Sequence, residues 1–598
     1  LSTAILTGQP VPGSSIEGDL RSLGFEVRVA VDAADAERLV AEAPCGQRVA
    51  LVDARFVGHV HALRLGLTDP RFPLAAIPGA VTADPEGRTP LTRALARENS
   101  AGGGTALAVD SLPDRLVTAL DTDGAEVHRP ELGSLVAEVP ADPQARNEAR
   151  QAVANVDDEA VRLKSAVKSR DGFFTTFCIS PYSRYIARWC ARRGLTPNQV
   201  TTASLITALI AAGCAATGTR GGFVAAGILL IASFVLDCTD GQLARYSLQY
   251  STLGAWLDAT FDRAKEYAYY AGLALGAARG GDDVWALALG AMVLQTCRHV
   301  VDFSFNEANH DATANTSPTA ALSDKLDSVG WTVWVRRMIV LPIGERWAMI
   351  AVLTAVTTPR ITFYVLLVGC AFAATYTTAG RVLRSLTRKA QRTDRAAQAL
   401  TDLADNGPLA SLVARVTRAR LGAPLLVAAA GTAVLVVSLF SGVTWAPVVG
   451  AAVYTVTAGQ ALYRPLKGAL DWLLPPLFRA AEYGTVLVLA AQADVNGALP
   501  AAFGLVAAVA YHHYDTVYRI RGNAGAPPAW LVRAIGGHEG RTLLVTVLAA
   551  ALSASQFKVA LTALAVAVAL VVLIESIRFW VAAHLGGAPA VHDEGEPA

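Results

Sequence analysis

The stretch "DCTDGQLARYSLQYSTLGAWLDATFD", residues 237–262, contains four aspartates whose spacing can do chemistry. Asp237 and Asp240 stand three apart, Asp258 and Asp262 four apart, so on helices each pair shares one face. The surrounding chain is apolar enough to lie in a membrane, where a carboxylate is costly and usually marks function. A short turn between two helices would let the pairs converge, and four facing carboxylates cannot all ionise without a cation among them. Divalent metal is the economical answer. Oxygen donors without histidine or cysteine favour Mg²⁺ or Mn²⁺, ions that commonly bind together with a substrate phosphate. Gly241, Ala244 and Gly254 are small beside the acids and let a ligand approach the backbone, and Arg245 adds a fixed charge suited to phosphate. The stretch reads as a pyrophosphate site. The competing role for the acids is as ion-pair partners of Arg245 and Arg263.

The elements that must position these residues belong to a long, apolar chain. Its 598 residues are 53% hydrophobic and 17% charged, with a mean hydropathy of +0.37, which no single soluble core could use. A net charge of +1 argues against a nucleic-acid partner. The cysteines (Cys45, Cys178, Cys190, Cys214, Cys238, Cys297, Cys370) form no CxxC pair and read as small buried thiols rather than a zinc site or disulfide framework. The opening residues show no basic region followed by an apolar core, so no signal peptide is expected.

Residues 1–150 alternate β-rich runs ("TAILT", "FEVRVA", "RVALVDA", "TALAV") with helical segments ("AADAERLVAEA", "PDRLVTAL"), the pattern of a soluble α/β domain. Its "TGQPVPGSS" fits an ordinary strand-to-helix turn better than a phosphate loop. A charged helical linker and an amphipathic helix occupy 151–195; in the latter, Arg184, Arg188, Arg192 and Arg193 alternate with Tyr185, Ile186 and Trp189, which suits a membrane surface. Apolar segments of spanning length follow at 198–217, 221–244, 253–278, 283–304, 343–359, 361–382, 423–441, 446–463, 472–493, 497–517, 541–555 and 558–580. The expected fold is therefore a polytopic α-helical membrane protein of about twelve spans in two six-helix units, with an N-terminal soluble α/β domain. Arg336, Arg337, Arg381, Arg384, Arg388, Lys389, Arg392, Arg415, Arg418, Arg420, Arg464, Lys467, Arg519 and Arg521 fall in alternate loops, which places those loops, the N-terminal domain and the C-terminus in the cytoplasm.

Asp237, Asp240, Gly241, Ala244, Arg245, Gly254, Asp258 and Asp262 match in full the D-x2-D-G-x2-A-R-x8-G-x3-D-x3-D signature, and by it the chain resembles the CDP-alcohol phosphatidyltransferases. The resemblance covers residues 165–385. It implies a cell-membrane enzyme that moves a phosphatidyl-type group from a CDP-linked lipid to a small polar alcohol, releasing CMP. It further implies two metal ions held by Asp237, Asp240 and Asp258 with Asp262 beside them, Asp262 also serving as general base, and CDP bound by Asp237, Asp240, Gly241, Ala244, Arg245, Gly254 and Asp258. "VKSRDGFFTTFCISPYSRY" is similar to the inositol-phosphate branch, and Arg298, Arg336, Arg337, Arg346 and Arg381 are candidates to bind a phosphorylated acceptor such as inositol phosphate or glycerol phosphate. Some relatives carry a cytidylyltransferase domain, whose glycine-rich loop is not found in residues 1–150.

The second six spans read as a degenerate copy of the first. "TDGQ" at 239–242 answers to "TAGQ" at 457–460, and Arg263, Ala264, Glu266 and Tyr267 to Arg479, Ala480, Glu482 and Tyr483; "IGERWAMIAVLTA" resembles "HEGRTLLVTVLAA". In this alignment the four aspartates become Thr455, Ala458, Leu474 and Phe478, so the copy has no metal ligands. The catalytic unit then spans 196–385, a cytoplasmic helical linker 386–420, the copy 421–582 and a disordered tail 583–598. His512, His513 and Asp515 read as interfacial polar residues, with a second metal site as the alternative. Family members pair as homodimers, so the two units would form an intramolecular pseudo-dimer. The competing function is a transporter or a catalytically silent scaffold of two related halves.

Overall fold

The computed structural model describes residues 2–9, 11–100, 111–168, 171–312, 334, 338–387, 390–417 and 422–585. The N-terminal domain is built on one five-stranded sheet, ordered β2-β1-β3-β6-β5. β1 (Ser2–Thr7) lies between parallel partners β2 (Phe25–Ala30) and β3 (Val49–Asp53). β5 (Leu74–Ile77) and β6 (Ala80–Ala83) form an antiparallel hairpin on the far side of β3, turned at Gly79 with φ +76°. This hairpin has no counterpart in the expected strands, because "LAAIPGAVTA" is short, alanine-rich and weak in β-branched residues. The expected strand "TALAV" lies outside the described residues. β4 (Val57–Gly58) and β7 (Ala137–Glu138) pair separately. β1 and β3 are apolar on both faces because helices cover both: α2 (Ala33–Glu42), α4 (Arg88–Ser100) and α5 (Leu112–Thr122) on one, α1 (Ile16–Ser22) and α3 (Val60–Leu67) on the other. "TGQPVPGSS" is the turn from β1 into α1.

The linker forms two helices, α6 (Pro143–Ala154) and α7 (Asp158–Ser165), started by Asp142 and Asp157 as side-chain caps. After a π-helical turn at Thr175–Ile179, α8 (Ser180–Arg192) buries Ser183, Ala187 and Cys190 and exposes Tyr182, Tyr185 and Trp189, a face suited to a lipid headgroup layer.

The first bundle comprises α9 (Pro197–Ala216), α10 (Arg220–Ser247), α11 (Thr252–Arg279), α12 (Trp285–Asn309), α13 (Ile343–Val356) and α14 (Pro359–Thr387). Thr196 and Gln199 close a reciprocal capping box that starts α9. The second bundle comprises α17 (Pro424–Leu439), α18 (Ala446–Ala461), α19 (Leu474–Gln492), α20 (Ala498–Arg521), α22 (Gly537–Ala551) and α23 (Ala554–Leu585), with the short α21 (Ala529–Ile535) before α22. Each expected span is thus a helix. Five helical segments, Pro197–Ala216, Arg220–Ser247, Pro359–Thr387, Asp471–Gln492 and Ala554–His584, are by themselves long and apolar enough to cross a membrane. The others are shorter or carry charge.

The chain between the bundles is helical, as two helices, α15 (Asp394–Ala404) and α16 (Pro408–Thr417). Asp405, at φ +56°, breaks them and turns its carboxylate into the second bundle. α16 packs on α18 as α8 packs on α10, and the pairs α9–α10, α9–α11, α10–α13 and α12–α14 recur as α17–α18, α17–α19, α18–α22 and α20–α23. The two bundles meet through α11 on α20 and α12 on α19, with α12 against α20, the exchange of partners that a two-fold axis would produce. Trp285 meets Phe503 edge-on, and Phe303 meets Tyr514 likewise, across this seam. The cysteines are all free, but Cys45 and Cys178 are exposed, against the expectation that all are buried. The tail expected to be disordered lies, from residue 586, outside the described residues.

Candidate functional site

α10 carries Asp237 and Asp240 in its last three turns and ends where Leu248 enters the left-handed region at φ +52°. The chain reverses over four residues, and Ser251 caps α11 by accepting from the Gly254 amide at 2.9 Å. This turn brings the acid pairs face to face. Carboxylate oxygens of Asp237, Asp240 and Asp258 lie within 4.8 Å of one another. Asp240 is buried and Asp258 exposed, so the cluster opens at Asp258. Among the described residues, one Asp240 oxygen is buried without a hydrogen-bond partner. A converging all-oxygen set with an unsatisfied buried acceptor fits a hard divalent cation.

Asp262 stands one turn further along α11, outside that trio. It is tied to the trio by Lys265, whose Nζ lies 2.9 Å from Asp262 and also contacts Asp237. Lys265 is fully buried, donates to Ser204 Oγ at 3.2 Å and sits over the Trp347 ring. The sequence reading missed it. Asp258, Asp262 and Lys265 follow the i, i+4, i+7 spacing of one helix stripe, so the signal was present in "DATFDRAK". The cation expected among the acids is in part a side chain of the protein itself.

The two arginines weighed as partners of the acids are engaged elsewhere. Arg263 pairs with Glu266 at 2.7 Å, and Arg245 donates through Nε to the Ala166 carbonyl at 2.6 Å. The Arg245 terminal nitrogens stand 3.5 and 3.6 Å from where a Cβ on Gly241 would be, at ordinary contact distance, so the fork lies beside Gly241. Gly254 has a different reason from the one expected: a Cβ there would come within 2.7 Å of Asn198 Oδ1 and 2.8 Å of Ser251 Oγ. Gln242, also unforeseen, accepts from Ser183 at 2.8 Å and donates to Ser180 at 3.3 Å, fixing α8 against the site.

The candidate acceptor arginines separate. Arg346 is buried and committed to Glu266 at 3.1 Å, and Arg381 pairs with Asp302. Arg298 donates to the Val340 carbonyl through one nitrogen, while its Nε and Nη1 are buried without partners among the described residues. Arg336 and Arg337 lie outside the described residues.

In the second bundle the same positions are filled by packing. Thr455 returns its hydroxyl to the Ala451 carbonyl at 2.8 Å, Ala458, Leu474 and Phe478 are buried, and Phe478 stacks on His538 with ring centres 4.2 Å apart. What is kept is the support behind the site. Glu266 is gripped by Arg263 and Arg346; Glu482 is gripped by Arg479 at 2.8 Å and Arg541 at 2.5 Å. Glu345 accepts from the Phe174 amide at 3.2 Å, and Glu539 from the Gly407 and Ala410 amides at 3.1 and 3.0 Å, each holding the approach to the surface helix. His512, His513 and Asp515 are buried rather than interfacial, because the bundle closes over that end of α20. They share no ligand position: His512 meets Asp405 at 3.1 Å, and Asp515 accepts from Ser576 and Trp580.

Long apolar helices with a clustered carboxylate site at the end of two of them are the build of a multi-pass membrane protein. Residues 194–374, which hold the first bundle's long helices, match the model of the CDP-alcohol phosphatidyltransferase family. Residues 394–598 match a family of unknown function (DUF5941). The chain is 36% identical over 131 residues to the phosphatidylinositol phosphate synthase of Streptomyces avermitilis, covering 21% of this chain and 51% of that one. It is 31% identical over 113 residues to the archaetidylinositol phosphate synthase of Pyrococcus horikoshii (19% and 58%). It is 32% identical over 114 residues to the bifunctional IPC transferase and DIPP synthase of Aquifex aeolicus (19% and 26%). The chain spans about half the length of the first two of these relatives.

Proposed function

We propose that the first bundle transfers a phosphatidyl-type group from a CDP-linked lipid to a small polar alcohol and releases CMP, with inositol phosphate the favoured acceptor. The observation that carries this reading is the convergence of three signature carboxylates, Asp237, Asp240 and Asp258, with the fourth, Asp262, one turn away. The names of two relatives, a phosphatidylinositol phosphate synthase and an archaetidylinositol phosphate synthase, support the acceptor.

In the reaction, the acceptor oxygen forms a bond to the lipid phosphorus as the bond from that phosphorus to the CMP oxygen breaks, and the hydroxyl proton passes to Asp262. Mg²⁺ or Mn²⁺, as two ions, would be held by Asp237, Asp240 and Asp258 and would neutralise the pyrophosphate and the departing CMP. Arg245 offers its two-nitrogen fork to the donor phosphates. Lys265 ties Asp262 to Asp237 and so orients the base. Arg298, with two buried unpartnered nitrogens, is placed for the phosphate of a phosphorylated acceptor. A cytoplasmic-facing N-terminal domain and site are supported by the distribution of loop arginines. The test is CMP release from CDP-diacylglycerol by membranes holding the full chain, with a panel of acceptors. Release with inositol phosphate, and little with unphosphorylated alcohols, is expected. No release with any acceptor would overturn the reading.

The second bundle serves as a built-in partner of the first, making the chain a monomeric pseudo-dimer. The reciprocal contacts of α11 with α20 and α12 with α19 support this. Native mass spectrometry in detergent should give a single chain. A dimer joined through two catalytic bundles, with the second bundles at the periphery, would sink the idea.

A further inference from the structure

The end of α10 and the loop that joins the two acid pairs are held from outside the membrane bundle. Arg162 of α7 donates through Nε to the Tyr246 carbonyl at 2.8 Å and lays its guanidinium 3.6 Å from the Tyr246 ring centre. The Tyr246 hydroxyl in turn donates to Glu159 of α7, with the two carboxylate oxygens at 3.0 and 3.1 Å. Leu163, Ala166 and Tyr246 form a small buried cluster against Ala191 of α8. Glu159 also lies 3.8 and 3.7 Å from Arg188 and Arg192. Further along the loop, Arg71 of the N-terminal domain sits 3.9 Å over the Tyr250 ring. α3 of that domain packs on α7, and His59 bonds to the Val153 carbonyl of α6 at 3.1 Å. The sheet domain, α6, α7 and the loop are therefore one connected structure.

Arg245 is the residue on which this matters. The Ala166 carbonyl, directly after α7, takes its Nε at 2.6 Å, which fixes the plane of the guanidinium and leaves the two terminal nitrogens over Gly241. An arginine held by one backbone acceptor loses less freedom when its fork closes on a phosphate, because part of the ordering cost has been met beforehand. We propose that α7 is a strap that positions Arg245 for the nucleotide-linked donor, so that the N-terminal domain, through α7, sets donor affinity rather than the rate of the chemical step. Arg162 and Glu159 are positioning residues in this arrangement. The proposal rests on the transferase reading above.

The experiment uses the full chain in detergent or nanodiscs, as wild type, Arg162→Ala, Arg162→Lys and Glu159→Gln, with two readouts. In CMP-release kinetics, Arg162→Ala should raise KM for CDP-diacylglycerol about tenfold, the equivalent of one lost supporting interaction. Its kcat and its KM for the acceptor should stay within about twofold, and Arg162→Lys should recover part of the loss. In hydrogen exchange, the amides of residues 246–251 should exchange faster in Arg162→Ala than in wild type. Should Arg162→Ala fail to fold, Glu159→Gln, which keeps the size of the side chain but weakens its hold on Tyr246, should show the same KM effect in smaller measure. An active wild type whose donor KM and loop exchange are unchanged in these variants overturns the strap and leaves the transferase standing. A fall in kcat at constant KM also overturns it. A wild type that releases no CMP with any acceptor overturns the transferase reading, and the strap with it.

Discussion

The two bundles use one scaffold for opposite ends. Each has a surface helix packed on its second long helix, and each has a glutamate held by two arginines on the third and fifth helices. Where the first opens a pocket of carboxylates, the second closes the same place with Leu474, Phe478 and the stacked His538. The ion-paired support is therefore separable from the chemistry. A buried arginine–glutamate–arginine group is costly to break in either bundle, since removing one partner leaves an uncompensated charge, whereas a clustered carboxylate site has no structural value without a ligand. Without acids at these positions, the second bundle carries no such repulsion and fills the place by packing.

Chelation should break the comparison most completely. Exhaustive EDTA treatment should abolish CMP release and Mg²⁺ or Mn²⁺ should restore it, while thermal unfolding of the second bundle is unaffected; full activity after chelation would remove the basis of the metal assignment. Calorimetric titration of an Asp237→Asn, Asp240→Asn double variant should then show no specific divalent site anywhere in the chain.

Next in size are the single acids. Asp262→Asn should lower turnover by about 10²–10⁴-fold, the range expected for loss of a general base, while metal-dependent binding of CDP survives. Asp237→Asn or Asp240→Asn should weaken binding and turnover together. Thr455→Val, at the position corresponding to Asp237, should leave activity within about twofold. Near-normal turnover in Asp262→Asn would show that the base has been misassigned.

The supports should cost stability in both bundles. Glu482→Gln, like Glu266→Gln, leaves two buried arginines short of a partner and should destabilise by about 3–5 kcal/mol, read as a lowered midpoint of thermal unfolding in detergent. Only Glu266→Gln should also reduce turnover per folded molecule, because Glu266 holds Arg263, next to Asp262. Equal loss of specific activity in both would mean that the second bundle takes part in catalysis. Lys265→Met removes a positive charge from beside the acids. It should tighten divalent binding about tenfold; unchanged metal affinity would show that Lys265 does not compete with the ion for the carboxylates.

The sequence by itself determined which carboxylates share a helix face and which runs must be helices. Spacing of three and four residues places carboxylates on one helix face whatever the surroundings, and the long apolar runs leave helices as the only way to satisfy the backbone in a bilayer. The matched Arg479, Glu482 and Arg541 were visible in the alignment before any contact was. The assignment of partners was decided only by tertiary structure. That Lys265 rather than Arg245 or Arg263 lies against the acids depends on how far α11 is rotated against α10, and rotation is set by packing across the whole bundle. The burial of His512 and Asp515 depends likewise on α23 and the Asp405 turn, remote in sequence. The hold of α7 on Tyr246 and Arg245 joins residues about eighty positions apart through backbone carbonyls. Every residue offers such a carbonyl, so no pattern of side-chain types could announce it.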